Sequence, residues 1–332
     1  MYAKYYFLFY RIRLFVQRVS YLNCGGGRYR LEYRKKCSGL LRNCRWNGQL
    51  FNCCDVFEPI NTEYGICFAL NSMHAKGTAQ FTIETFSNRI TGPGELLIQA
   101  VDDIRFYFHA PEDVPFINSD PDHRKDVMLG EAYNITFKVT EIENDENVIY
   151  TSVEKRGCRF PSEKPDSLLV HSYYSYSTCI VQCHADAHLE LCNCTHHLMP
   201  VLGDHKTCDI DGLKCLTENF ETLNRLHAKG FDKPGLVCEC VPSCIEPEYK
   251  VVSDRKGICN NAESKTSYSE ILIKMQSLPT SRFKRNVVRT TMDLVVSIGG
   301  NAGLFIGASL LSIIETIYLL CLRKYTEPTM LL

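Results

Sequence analysis

Gly307-Ala308-Ser309, followed six positions on by Glu315, is the stretch whose residue types and spacing carry the clearest chemistry in this sequence. A cation that sheds part of its water shell needs oxygen ligands in return. Backbone carbonyls can face a shared axis only where the side chains are very small. Around the triplet, Ser297, Asn301, Ser309, Ser312, Glu315 and Thr316 interrupt an otherwise apolar run from Leu294 to Leu322, closed by Arg323 and Lys324. On an unbroken helix, at about 100° per residue, these polar positions fall within one arc of roughly 120°. Gly299, Gly300, Gly303 and Gly307 lie opposite, where small residues let helices approach closely. A carboxylate near mid-membrane costs roughly 2.5–3.5 kcal/mol on insertion scales and turns towards a bundle interior or water. The pattern predicts cation passage along the wet face of a helix that packs through its other face in a symmetric oligomer. The alternative is an inert single-pass anchor that tolerates a few polar residues.

A second constellation is the run of cysteines at 158, 179, 183, 192, 194, 208, 215, 238, 240 and 244, with His184, His188, His196 and His197 among them. Zinc is one reading, since histidines at i and i+4 share a helical face. No Glu follows His184 in a zincin pattern, however, and so many cysteines exceed one site. A nucleophilic thiolate beside a base does not suit an oxidised framework. With no nucleophile elbow, Walker loop or dinucleotide fingerprint, neither an enzyme, a cofactor nor a metal is expected, and the histidines are expected at the surface. Disulfides remain. Spacing alone does not decide their pairing, although a chain folded back near its middle would nest the outer cysteines rung by rung, Cys158 with Cys244 outermost.

These residues need elements to position them. With 332 residues, 45% of them hydrophobic, the chain can bury a sizeable core. A net charge of −1 gives no sign of a nucleic-acid partner. As a helix, Leu294 to Leu322 would run about 44 Å against a hydrocarbon core of roughly 30 Å, so one C-terminal transmembrane helix is predicted, with room for tilt or a break. All but one of the 18 cysteines precede it. Such density reads as an oxidising compartment upstream, with Arg323 onward cytoplasmic. Arg282, Lys284, Arg285 and Arg289 before the span argue the reverse by charge alone, but long domains translocate largely regardless of flanking charge. Residues 1–23 hold YYFLFY, followed by Arg11 and Arg13. That run is too short to span and lacks the features of a signal peptide, so a truncated chain is expected.

Period-2 alternation predicts strands in GTAQFTIETF, ELLIQAVDDIRFYFH, YNITFKVTEIE, NVIYTSVE and IEPEYKVVSDRK. PEDVPFINSDPDHRKD between them reads as a polar loop. SYSEILIKMQSL reads as a helix. LTENFETLNRLHAKG, with Leu216, Phe220, Leu223 and His227 at helical spacing, reads as one amphipathic helix stopping at Gly230. Asn134-Ile135-Thr136 is an N-glycosylation acceptor. Asn193-Cys194-Thr195 matches too, but is crowded by its flanking cysteines. Cys44 is expected to pair with Cys53 or Cys54.

GGNAGLFIGASLLSIIE resembles the second transmembrane segment of the degenerin/epithelial sodium channel family, with Gly299-Gly300, Gly307-Ala308-Ser309 and Glu315 in one register. CSGLLRNCRWNGQLFNCCDVFEPINTEYGICFALNS resembles the stretch leading into the upper palm in the insect pickpocket branch. YSYSTCIVQCHADAHLELCNCTHHLMP is similar to the family's thumb, and the resemblance covers roughly residues 37–322. It implies an α+β membrane protein with a β-rich, disulfide-bonded ectodomain, palm-like sheet plus helical thumb, and one C-terminal transmembrane helix. The divisions expected are 1–36, an N-terminal segment; 37–157, the palm-like region; 158–245, the thumb; 246–293, return strand and wrist; 294–322, the pore helix; and 323–332, a cytoplasmic tail.

The same resemblance implies a thumb ladder of Cys158 with Cys244, Cys179 with Cys240, Cys183 with Cys238, Cys192 with Cys215 and Cys194 with Cys208. It gives Cys67 a partner nearer the amino terminus. It implies a subunit of a trimeric, amiloride-sensitive type of sodium channel at the plasma membrane, partnered by two identical or related subunits. Sodium would lose water at Gly307, Ala308 and Ser309, with Ser297, Asn301, Ser312 and Glu315 lining the pore. Tyr174 and Tyr176 would couple thumb to palm, unless they form a packing cluster with no gating role. Val296 departs from the small residue often found three positions before Gly299, so gating is expected to differ or the neighbouring packing to compensate. The family's first transmembrane segment and its His-Gly motif are not visible. The rival class is a single-pass receptor or adhesion ectodomain.

Overall fold

The computed structural model describes residues 10–11, 14–18, 36–75, 86–87, 89–90, 92–200, 206–227, 235–245, 247–259, 268–278, 282–307 and 309–322. It divides into two compact units, Met1–Lys284 and Arg285–Leu332. In the first unit the early strands are β1 (Tyr10–Arg11), β2 (Leu14–Arg18), β3 (Leu41–Trp46), β4 (Gln49–Phe51), β5 (Phe57–Thr62), β6 (Gly65–Leu70) and β7 (Phe86–Ser87). There follow β8 (Glu95–Ala100), β9 (Ile104–Phe108), β10 (Arg124–Val127), β11 (Glu131–Asn144), β12 (Glu248–Ile258) and β13 (Ser269–Met275). Helices α1 (Cys53–Val56) and α2 (Val153–Arg156) are single turns; α3 (Tyr176–Cys192), α4 (Ile210–Glu218) and α5 (Phe220–Asn224) fall within residues 158–245, the segment expected as a thumb.

One sheet has the order β10-β9-β2-β6-β5, all neighbours antiparallel. A larger sheet follows the path β12-β11-β13-β8-β3-β4, with β11 and β13 parallel. Alternation along the smaller sheet divides its side chains between two cores. Phe57, Phe68, Leu70, Phe106 and Phe108 pack with Leu96, Ile98, Ile135, Phe137, Ile271 and Ile273 of the larger sheet. Ile60, Ala69 and Tyr107 join the other cluster, with Val181 and Ala185 of α3. The first unit is thus layered as large sheet, small sheet, helix. A sheet covered on both faces needs apolar residues at both parities, hence the near-continuous Ile104-Arg105-Phe106-Tyr107-Phe108. Each fully buried Phe or Ile contributes about 1.5–3 kcal/mol.

Four sequence expectations change. ELLIQAVDDIRFYFH is two strands in different sheets, β8 and β9, because residues 101–103 turn the chain from one layer to the other. NVIYTSVE is not a strand but a 3-10 turn, Glu146–Tyr150, followed by α2; the Asp145 side chain accepts from Asn147 N–H and starts the turn. SYSEILIKMQSL is the strand β13, not a helix. Ser269, Ile271, Ile273 and Met275 are buried at every second position, and β11 and β8 supply its ladder partners. The single thumb helix ending at Gly230 is instead α4 and α5, parted at Asn219, whose side-chain amide donates to Cys215 O at 2.9 Å. Leu216 and Leu223 are buried while Phe220 is exposed; residues 228–230 lie outside the described residues. IEPEYKVVSDRK corresponds to β12. GTAQFTIETF up to Thr85, nearly all of the 1–36 segment and the 323–332 tail lie outside the described residues, and Phe86 belongs to β7.

The second unit holds α6 (Thr291–Ile306) and α7 (Leu310–Ile317), then a π-helical turn at Tyr318–Leu322. The segment predicted to span the membrane, with room for tilt or a break, is interrupted at Gly307, whose φ of 67° and ψ of 17° end α6 in the left-handed region. Among the described residues no helix is long and apolar enough to cross a membrane.

Candidate functional site

The start of α6 is specified by a capping box. Thr290 Oγ1 accepts from Asp293 N–H at 3.1 Å, and the Asp293 carboxylate accepts from Thr290 N–H at 2.8 Å. The bond from the Thr290 backbone, then that from its hydroxyl, holds the Asp293 carboxyl below the usual carboxylate range. At the other end, Gly307 N–H donates to Ala302 O, and the carbonyls of the last turn of α6 are left without the helical donors an unbroken helix would supply. Ser309 then caps α7. Its Oγ accepts from Ser312 N–H at 3.2 Å and lies 3.1 Å from Ser312 Oγ. Ala308 lies outside the described residues.

The break changes the polar arc. Two helices with a left-handed residue between them do not share one angular register, so the arc across all six polar positions no longer holds. Ser297 and Asn301 remain neighbours on α6, and Ser312, Glu315 and Thr316 on α7, at i, i+3 and i+4 spacing. Val296 sits beside Ser297 on α6 and is exposed. Both helices leave large apolar side chains uncovered in the single chain: Leu304 is 78% exposed, Phe305 81% and Leu311 76%. Surfaces of this kind mark membrane or protein contact.

In the first unit, the thumb ladder bonds Cys158–Cys244, Cys179–Cys240, Cys183–Cys238, Cys192–Cys215 and Cys194–Cys208. Near the start of the described chain, Cys44 bonds Cys53 and Cys37 bonds Cys54. Cys67 is a buried free thiol 3.2 Å from Thr62 Oγ1, and burial pushes it up to about 12. No partner nearer the amino terminus is bonded to Cys67 among the described residues; Cys24 lies outside them.

The tyrosines ahead of α3 differ in their contacts. The Tyr174 hydroxyl donates to Val241 O at 2.6 Å and accepts from Val241 N–H at 3.0 Å, with the Arg159 guanidinium 5.1 Å from its ring centre. It therefore ties the approach to α3 to the irregular segment at Val241 that precedes β12. Tyr176 N–H donates to Ser243 Oγ at 3.1 Å, and its ring meets Phe116 edge-on at 6.5 Å. On the same turn, Ser177 Oγ donates to Asp113 Oδ1 at 2.8 Å and accepts from Val114 N–H at 3.0 Å. Burial raises the Asp113 carboxyl.

The surface expectation for the histidines is corrected for two of them: His184 is 1% exposed and His188 8%. Both lie on the face of α3 that packs under the smaller sheet, where His184 is hydrogen-bonded to the Glu63 carboxylate. Sequence reasoning passed over Glu63, since nothing local in Thr62-Glu63-Tyr64 signals a partner 121 residues away. Asn134 is exposed on β11, and Asn193 is exposed at the left-handed end of α3, with φ 56°.

A two-sheet scaffold stapled by this many disulfides defines a class: a disulfide-framework protein of oxidising compartments. Residues 26–319 match the amiloride-sensitive sodium channel family, and the chain belongs to it. That family is one of ion channels, not enzymes. The chain is 23% identical over 302 residues to pickpocket protein 11 of Drosophila melanogaster, covering 85% of this chain and 54% of that protein. It is 23% identical over 303 residues to the sodium channel protein Nach of Drosophila virilis, covering 86% of this chain and 76% of that one. It is 24% identical over 315 residues to acid-sensing ion channel 4-B of Danio rerio, covering 83% of this chain and 50% of that one. The chain thus spans between half and three quarters of these relatives.

Proposed function

We propose that this chain is a subunit of a trimeric, sodium-selective channel of the pickpocket branch, of the amiloride-sensitive type, in the plasma membrane. The observation that carries the reading is the left-handed break at Gly307, capped by Ser309, inside two successive exposed apolar helices. In this reading α6, the Gly307-Ala308-Ser309 segment and α7 cross the membrane together, with the residues before Leu294 extracellular and those after Leu322 cytoplasmic. At the break, carbonyls freed from the helical ladder replace part of the water around a permeating sodium ion. Sodium moves down its electrochemical gradient; no bond is made or broken.

Ser297 and Asn301 on α6 and Ser312 on α7 keep the path wet. Glu315, six residues or nearly two turns below the Ser309 cap, raises the local cation concentration, and a carboxylate at that depth is tolerable because it faces water. Val296 and Tyr176 take part in gating, the first at the pore helix, the second at the thumb base. The thumb disulfides, each worth typically about 2–4 kcal/mol, make that segment a stiff lever. Two further identical or related subunits complete the pore.

The test is current from the full-length subunit in a reconstituted membrane. Ser309→Phe is expected to abolish the current or change its ion selectivity; sodium current unaltered by that change would remove the filter assignment. In a receptor or adhesion protein the substitution would have no electrical consequence.

A further inference from the structure

We propose that Asn134 carries an N-linked oligosaccharide whose first N-acetylglucosamine is seated in a groove of the larger sheet immediately beside it. The proposal rests on the extracellular reading of the residues before Leu294.

Asn134-Ile135-Thr136 is an acceptor tripeptide, and β11 presents it in a definite way. Ile135 and Phe137 point into the core with no exposed surface, while Asn134 is exposed on the opposite face. Its register neighbours are Arg255 on β12 and Leu272 on β13. Between Thr136 and Phe137 the register against β12 slips, pairing Thr136 with Ser253 but Phe137 with Val251. Val252 is the extra residue of a bulge and is 46% exposed.

The slip opens a groove of about 360 Å³ in which Asn134 is joined by Thr136, Val252, Ser253, Arg255, Lys274 and Gln276. Small-molecule sites run from about 300 to 1,000 Å³, so this one has room for a single sugar ring. Its lining suits an N-acetylhexosamine. Val252 offers an apolar platform for the C–H face, the Thr136 and Ser253 hydroxyls can give or accept hydrogen bonds at the rim, and Arg255 and Gln276 can donate to ring hydroxyls and the acetamido oxygen. Lys274 is engaged with Glu95 Oε2 at 2.9 Å, whereas among the described residues no carboxylate pairs with Arg255, which leaves its guanidinium for the sugar. An Asn side chain is short, so a ring bonded to Nδ2 cannot lie far from this groove. The second acceptor, Asn193-Cys194-Thr195, sits between two bonded cysteines with Thr195 only 6% exposed.

The transfer balances as a substitution. Asn134 Nδ2 forms a bond to the anomeric carbon of a polyprenyl-diphosphate-linked oligosaccharide supplied by the secretory membrane. The carbon–oxygen bond to the diphosphate breaks, the diphosphate leaves with the electron pair, and the amide nitrogen loses one proton.

The experiment uses the full-length chain expressed in insect cells held to high-mannose glycans and solubilised intact. Peptide mass spectrometry is expected to find Asn134 occupied. Trimming with an endoglycosidase that leaves one N-acetylglucosamine is expected to give a Tm about 2–4 °C above that of Asn134→Asp, which has the same fold without a sugar. Val252→Ser is expected to remove that margin. Asp120→Thr, combined with Pro121→Ala so that no proline follows the hydroxyl residue, makes residues 118–120 an acceptor on an exposed loop and reports the compartment. Asn118 occupied with Asn134 empty would overturn the glycan and leave the extracellular reading standing, whereas both empty would overturn the two together. Asn134 occupied with no Tm margin would overturn the seating in the groove.

Discussion

The carboxylate of Glu63, in the turn between β5 and β6, is hydrogen-bonded to Nδ1 of His184 on α3, and each side chain is 1% exposed. Its second oxygen accepts from Ile117 N–H at 2.7 Å. One side chain therefore joins a hairpin turn of the smaller sheet, the thumb helix and the 111–120 loop, at a depth where water cannot replace a lost partner. Glu63→Ala leaves both an imidazole and a backbone N–H buried and unmet. The expected loss is roughly 3–5 kcal/mol in urea unfolding, with Glu63→Gln intermediate. A loss below about 1 kcal/mol would mean that apolar packing alone docks α3.

Acidification should weaken the first unit. Burial, helped by His74 and Lys164, pulls His171 down to about 3; burial, helped by His184, pulls His188 down to about 4. Both lie below the unfolded value of about 6.5, so between these limits the unfolded chain binds more protons than the folded one. Stability is complete above about pH 6.5 and is lost as pH falls through that value towards 4, at up to about 1.4 kcal/mol per pH unit for His171. Urea midpoints at pH 7.5 and 5.5 check this, and His171→Asn should flatten the difference. A midpoint independent of pH over that interval would contradict the assignment.

Gly307→Ala tests the helix break. A Cβ there meets nothing within 4 Å, so the penalty is one of backbone conformation, about 1–2 kcal/mol for a left-handed residue. The variant should shift α6 and α7 towards one continuous helix and reduce sodium current. Spin labels at Leu304 and Leu311 would report the change as an altered separation, and identical distance distributions would show that the break does not depend on glycine.

On the proposed reading Glu315→Ala should lower single-channel conductance without abolishing it, because a carboxylate there would concentrate cations and not ligate them at the narrowest point. Unchanged conductance would count against a pore-facing carboxylate.

Replacing both Cys179 and Cys240 by Ser removes one rung and leaves no odd thiol. A stability loss of about 2–5 kcal/mol is expected, read from the unfolding midpoint with the other thumb bonds intact. If the thumb is a lever, the same variant should blunt the response to a stimulus applied to the ectodomain while sparing conductance.

Much of the protein is legible in residue order. Thr290 three positions before Asp293, Gly307 ahead of Ser309, and the alternation of Tyr133 to Val139 are local signals, and each acts over a span of chain short enough to be read directly. Hence the course of β11 follows from neighbours, and the Thr290–Asp293 cap and the Gly307 break are equally local, although the sequence reading begins the span at Leu294 and reckons its polar arc on an unbroken helix. Ile271 and Ile273 show where this fails. Their segment suits a helix or a strand, and only the ladders offered by β11 and β8, from more than a hundred residues earlier, make it a strand. Cys44 could have met Cys53 or Cys54, and the turn of α1 decided for Cys53. Glu63 finds His184 only because α3 packs beneath the smaller sheet. Short-range preferences are encoded by adjacent residues, whereas a buried pair or a choice between strand and helix depends on which distant surfaces the folded chain brings together.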